Sequence, residues 1–289
     1  MGLPSSASKL HGVDGAGEFD EVRNEPDPVR RGQRATELIT RYQQRATELA
    51  RLRKEAIEEA HRNGLSFTEI AELLGVTKGR ISQIRTSAPP AERAFFGVGP
   101  VAVGIPRPAD NEDGRDHVRF DVSYQATRQR VEVDLARLSM ASTQFEIEPD
   151  TDDVPAGDAV VICEPEAAPV ARRLLAADKA LGFENVDGTW YLVDKSSGRR
   201  YGSPFRADST NRIDIGYLAR QVADGRVIVH IAGATGVGSL GIAHWLTGHV
   251  SEIYERSARF TSAVIECDFD ADLSITGSRI VAGPFTSRE

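Results

Sequence analysis

From Gln33 to Arg62, apolar residues recur three and four positions apart: Ala35, Leu38, Ile39, Tyr42, Ala46, Leu49, Ala56, Ile57 and Ala60. No Gly or Pro interrupts the run, so it predicts one long helix. Arg53 falls on the apolar stripe, which argues against a long uninterrupted coiled coil. Asn63-Gly64 ends this helix, and Ser66 can cap the next. Ile70, Ala71 and Leu74 then keep helical spacing until Gly75, where a turn needs positive φ. Val76 is placed to plug the corner, Thr77 to cap a second helix, and Ile81 and Ile84 to resume the apolar face. Pro89 and Pro90 stop that helix.

Beyond Pro90 the pattern changes. Val98 to Ile105 reads as a strand, 107 to 116 as a polar loop, and Tyr124 to Leu138 as a helix with Val131, Leu135 and Leu138 on one face. Phe145 and Ile147 alternate with Glu146 and Glu148 in a short strand. Ala159 to Cys163 is apolar throughout, as a strand buried on both faces should be. A helix from Pro169 to Leu181 follows. Asp187-Gly188 between Phe183-Glu-Asn-Val and Thr189-Trp-Tyr-Leu-Val marks a type I′ hairpin. The turn Asp194 to Gly198 extends it to a small antiparallel meander. Ile213 to Val222 reads as a helical turn. Arg226 to Ala232 is a strand, Leu240 to Glu255 a helix, Phe260 to Cys267 a strand, and Ile280-Val281 a last short one. Strands alternating with helices predict an α/β domain with a mainly parallel sheet. The expected division is a disordered tail over 1–32, an all-α domain over 33–88, a linker over 89–96 and the α/β domain over 97–289.

The stretch Phe67 to Thr86 resembles the helix-turn-helix of DNA-binding regulators. Ala71, Gly75, Val76, Ile81 and Ile84 sit where that family has its structural residues, with Ala71 small enough for two helices to cross closely. The resemblance implies DNA contact by the outward residues of the second helix: Thr77, Lys78, Gly79, Arg80, Ser82, Gln83, Arg85 and Thr86. None is acidic. Lys and Arg neutralise phosphates and release counterions, while Gln83 and Ser82 are neutral groups able to reach base edges. An ordinary helical hairpin is the alternative. Such modules act in pairs, and the stripe Ala35 to Leu49 is a candidate homodimer interface; packing within one chain is the alternative.

The chain carries 289 residues and a formal charge of −8. That balance suits a DNA-binding protein only when it is divided. Residues 33–88 hold ten basic against seven acidic side chains, and the negative charge lies in 89–289. Cys163 and Cys267 each lie in an apolar run and read as small buried residues of a reducing compartment. No run of 18 apolar residues and no apolar N-terminal core is present, so neither a membrane span nor a signal peptide is expected, and the reading is cytoplasmic.

Gly233-Ala-Thr-Gly236-Val-Gly238-Ser-Leu-Gly241 follows a strand and opens a helix, with Glu266 and Asp268 ending the next strand. It resembles the dinucleotide-binding fingerprint, which implies an anion held by bare backbone at a helix N-terminus. The unit comes last in its domain instead of first, and Glu266 is somewhat too distant from Gly241. A tight structural turn is the alternative. Candidate ligand-binding residues are Gly233, Thr235, Gly236, Gly238 and Ser239, with Glu164 at the carboxyl end of a neighbouring strand. A nucleotide or other anionic small molecule is the expected ligand. His244 and His249 are five residues apart and do not share a helix face cleanly, so no metal is expected; no cofactor and no catalytic residue is assigned. The body also resembles the α/β portion of uncharacterised actinobacterial helix-turn-helix proteins. That likeness rests on Ala159-Val-Val-Ile-Cys163, Gly188-Thr-Trp-Tyr-Leu-Val-Asp194 and Ile231-Ala-Gly-x-x-x-x-Gly-Ser-Leu-Gly241. The expected function is a transcriptional regulator whose α/β domain senses a ligand or partner. A nucleotide-processing enzyme tethered to DNA, with the glycine loop at its active site, is the alternative.

Overall fold

The computed structural model describes residues 15–107, 116–205 and 210–288. The chain forms two compact units, one ending at Gln43 and the other running from Gln44 to the C-terminus. In the first, helix α1 (Gly15–Asn24) folds back on the start of α2 (Pro28–Arg62). Phe19 stacks on Tyr42 with ring centres 5.7 Å apart, and Arg41 pairs with Glu18 at 2.7 Å. The expected disordered tail is therefore helical from Gly15 on; residues 1–14 lie outside the described residues. Of the expected dimer stripe, Leu38 is buried, whereas Ile39 and Leu49 are exposed.

In the second unit the later half of α2 meets α3 (Phe67–Leu73) and α4 (Lys78–Ser87) around Ile57, Ile70, Ala71, Ile81 and Ile84. Residues 89–96 are not an exposed linker. Ala91–Phe95 form a 3-10 helix in which Arg93, Ala94 and Phe95 are buried, with Phe96 buried beside it. The Pro pair ends α4 as expected, but the apolar residues after it need cover and join the body's core.

The body is a seven-stranded sheet, β10-β9-β7-β8-β3-β1-β2, with a three-stranded sheet β4-β5-β6. Its strands are β1 (Val101–Pro106), β2 (Ser142–Ile147), β3 (Asp158–Ile162), β7 (Ile213–Ala223), β8 (Arg226–Gly233), β9 (Phe260–Phe269) and β10 (Ile275–Ser287). The small sheet is β4 (Leu181–Val186), β5 (Thr189–Asp194) and β6 (Arg200–Gly202), the meander expected from Asp187-Gly188. Strands β2, β1, β3 and β8 are parallel; β7, β9 and β10 join antiparallel. The α/β class holds, and the parallel arrangement is confined to that half of the sheet.

The expected helix at Ile213–Val222 is strand β7. Asp224 and Gly225 take φ of 52° and 74° and close the β7–β8 hairpin, as Asp187 and Gly188 close β4–β5 at 51° and 79°. Because β7 is central and buried on both faces, it lacks the alternation that betrays a half-exposed strand. The two-residue period instead sorts its side chains. Leu218 faces α5 (Asp116–Arg137) and α7 (Gly236–Ile253) with Val160, Ile162, Val229 and Ile231. Tyr217 and Ala219 face the small sheet, while Val161 and Cys163 face α6 (Pro169–Ala176).

Candidate functional site

Ser66 and Glu69 form a reciprocal cap at the start of α3: the Ser66 amide donates to Glu69 Oε2 at 2.8 Å, and the Glu69 amide to Ser66 Oγ at 3.3 Å. Gly75 takes φ of +65°, and the Val76 amide donates to Ala71 O at 2.9 Å. Thr77 Oγ1 accepts from the Arg80 amide at 3.1 Å, capping α4. Ile81 and Ile84 point inward, which leaves Thr77, Lys78, Gly79, Arg80, Ser82, Gln83 and Thr86 exposed. Arg80 Nη1 donates to Gln83 Oε1 at 3.2 Å, holding both on one face.

Arg85 departs from the expected outward set. Its guanidinium lies 4.1 Å from the Phe67 ring centre and donates to Glu58 Oε1 of α2 at 2.6 Å. An aromatic face and a carboxylate at that distance compete strongly for a guanidinium. Leu74 and Val76 also depart from expectation, because both are exposed, as is Leu73 at 75%.

The glycine loop is built at the carboxyl end of β8 and runs directly into α7, whose first turn begins at Gly236, earlier than expected. Its glycines make room for the protein itself. A Cβ on Gly238 would overlap the Ile215 carbonyl of β7, one on Gly236 the Ser123 hydroxyl, one on Gly233 the Thr235 carbonyl, and one on Gly241 the Cys267 side chain. The acidic group at the helix N-terminus is Asp214, fully buried on β7. Its Oδ2 accepts from the Gly238 amide at 2.8 Å and from Thr235 Oγ1 at 2.6 Å, and its Oδ1 accepts from the Ile215 amide at 2.8 Å. The expectation of a cradle open to an anionic ligand is corrected at Gly238: the chain's own carboxylate already takes that position. Burial raises the Asp214 pKa against the lowering effect of these donors.

Ser239 and Glu164 stand together. Ser239 Oγ accepts from the Gly233 amide at 2.8 Å and donates to Glu164 Oε1 at 3.3 Å. Glu164 as a residue is half-buried, but its Oε2 is sealed from solvent and has no hydrogen-bond partner. Burial pushes this carboxyl up to about 7. The pair lies at the carboxyl ends of β3 and β8, beside β1, where the strand order turns. Next to it His230 Nε2 meets Cys163 O at 2.9 Å; burial lowers this imidazole to about 4 and keeps it neutral. On the same face Tyr217 donates its hydroxyl to Asp178 Oδ2 at 2.9 Å.

Neither Asp214 nor the Tyr217–Asp178 pair was singled out from sequence, although an aspartate between two isoleucines at the head of an apolar run was the available signal. Glu266 and Asp268 do not serve the glycine loop; both pair with Arg279 of β10. His244 Nδ1 meets Ser278 Oγ at 2.8 Å and His249 Nδ1 meets Trp245 O at 2.8 Å. Cys163 and Cys267 are free and buried, with β8 and β7 between their strands, and burial pushes both thiols up to about 12. Among the described residues no helix is long and apolar enough to cross a membrane.

No protein-family model matches the chain, and no curated protein matches it either. The functional reading therefore rests on the geometry.

Proposed function

We propose that the chain is a DNA-binding transcriptional regulator in which α4 is the helix that enters the groove. The observation carrying this reading is the outer face of α4: Lys78, Arg80, Ser82, Gln83 and Thr86 exposed together, with no acidic residue on the helix. A capped helix N-terminus bearing two cations meets phosphates favourably, and Gln83 supplies a bidentate group for a base edge. The α/β body is the sensing part.

Selection of bound duplexes from a random pool, followed by anisotropy titrations at several salt concentrations, tests the assignment. Lys78→Ala and Arg80→Ala should weaken binding to every sequence and each reduce the salt slope by about 1. Gln83→Ala should relax preference at one position by about 1–3 kcal/mol. Folded variants that bind as the wild type does would remove α4 from the interface.

A further inference from the structure

The amino end of the sheet, away from the glycine loop, holds a half-open groove of about 450 Å³, at whose rim Lys179 and Arg259 are exposed. Its apolar part is Val222, Phe260 and Phe285; its polar part includes Ser196, Lys179 and Arg259. Among the described residues, neither Lys179 nor Arg259 pairs with a carboxylate. Arg259 makes one long contact, Nη2 to Val222 O at 3.5 Å, which leaves most of its fork for another partner. The one acidic lining residue is Asp178, whose carboxyl oxygens are already engaged by donors of the chain itself. It is buried, and its oxygens accept from Tyr217 Oη at 2.9 Å and from the amides of Ala180 and Leu181 at 2.7 and 3.0 Å.

We propose that this groove binds a small organic acid, a single carboxylate on an aromatic or aliphatic body, and that its occupancy acts on the recognition helices. Volume and lining match a drug-sized ligand whose apolar body meets the phenylalanines. A carboxylate fits the planar fork of Arg259, with Lys179 adding charge. Two exposed cations beside an apolar floor suit a monoanion better than a polyphosphate.

The second half of the proposal rests on the DNA-binding reading and on one connection. Arg259 opens the strand β9 side of the segment Tyr254–Arg259, and its amide and carbonyl are held by Ser287 O at 2.8 Å and the Val222 amide at 2.7 Å. Three residues earlier, Arg256 pairs with Glu55 of α2 at 2.6 Å. Glu58, three residues further along α2, holds Arg85 of α4. A ligand that draws on Arg259 therefore pulls on a segment fastened to the helix that supports α4.

Thermal melts of the full chain with phenylacetate and octanoate test the site, with phenylacetamide as the neutral isostere and sulfate as the anion without a body. A concentration-dependent rise in Tm is expected with at least one acid, and with neither control. Arg259→Gln should weaken that acid roughly tenfold or more, and Arg259→Lys should recover part of the loss. Melts without any probe show that each variant is folded. Absence of a shift with both acids, an equal shift with phenylacetamide or sulfate, or an unchanged response in folded Arg259→Gln would each overturn the site. Coupling is read separately, as the change in affinity for a selected duplex when the acid is added. The change should be present in the wild type and reduced in Glu55→Gln. A wild type that binds the acid with no change in DNA affinity overturns the coupling; one that binds no DNA at all overturns the regulatory reading and leaves the site standing.

Discussion

Glu164 shows how one buried group can govern a pH profile. Its carboxyl titrates near 7 in the folded chain against about 4.5 in the open chain, so the unfolded state loses the proton first. Stability from this group is therefore present at low pH and falls as pH rises through that window, by on the order of 3 kcal/mol. His230 works the other way. Its folded value of about 4 lies below the ordinary 6.5, so its share is lost as pH falls from 6.5 toward 4. Between about 4.5 and 6.5 the two slopes oppose each other. Glu164→Gln removes one of them: urea midpoints should then rise with pH up to about 6.5, and should exceed the wild type above pH 7. Parallel curves for variant and wild type would show that Glu164 is not held in this environment. Gly238, beside Ser239, has a different constraint. A Cβ there meets a backbone carbonyl that no rotamer change can move, so Gly238→Ala should cost about 1–3 kcal/mol despite its better helix propensity. Binding of a nucleotide lost in a fully stable Gly238→Ala protein would instead restore the cradle.

Among the elements, α4 separates residues that position from residues that face outward. Thr77 sets the start of the helix; Ile81 and Ile84 fix its rotation. Arg85, read from the sequence as part of the outer face, fastens α4 to α2 through Glu58 and Phe67. Arg85→Ala should therefore lower Tm and leave the salt slope of DNA binding nearly unchanged, the reverse of Arg80→Ala. A slope reduced equally by both variants would return Arg85 to the interface. The β7–β8 hairpin carries the complementary lesson. Its Asp224-Gly225 turn has the same chemistry as Asp187-Gly188, but it follows a run whose apolar residues do not alternate, so the hairpin is not visible in the local pattern.

At the scale of the whole molecule, Arg93 joins parts that the sequence set apart. It is fully buried. It donates to Ser139 O at 2.9 Å, to Val98 O at 2.7 Å and to Gln44 Oε1 of α2 at 3.0 Å, and it lies 3.4 Å from Glu48 Oε2. Burial lowers its pKa, and Glu48 works against that shift. Arg93→Met leaves several buried acceptors unpaired and should cost about 3–5 kcal/mol. Residues 44–289 form one compact unit. The wild type should accordingly lose its α2–α4 and body signals together in denaturant, whereas Arg93→Met should lose the α2–α4 signal first. Two separate transitions already in the wild type would contradict the tie.

The sequence by itself determined the local elements: α2 from its uninterrupted period, the α3 and α4 caps from Ser66 and Thr77, and the meander from Asp187-Gly188. Each is set by neighbours within a few residues, where spacing and turn chemistry are visible. Tertiary structure alone decided what meets across the sheet. A glycine-rich loop reads the same whether its bare backbone faces a ligand or a neighbouring strand, and only the placement of β7 put Asp214 at the start of α7. Likewise, only packing turned Arg85 inward, buried Arg93 and left Glu164 Oε2 without a donor. These depend on residues 24 to 75 positions apart, a separation over which no local pattern carries information.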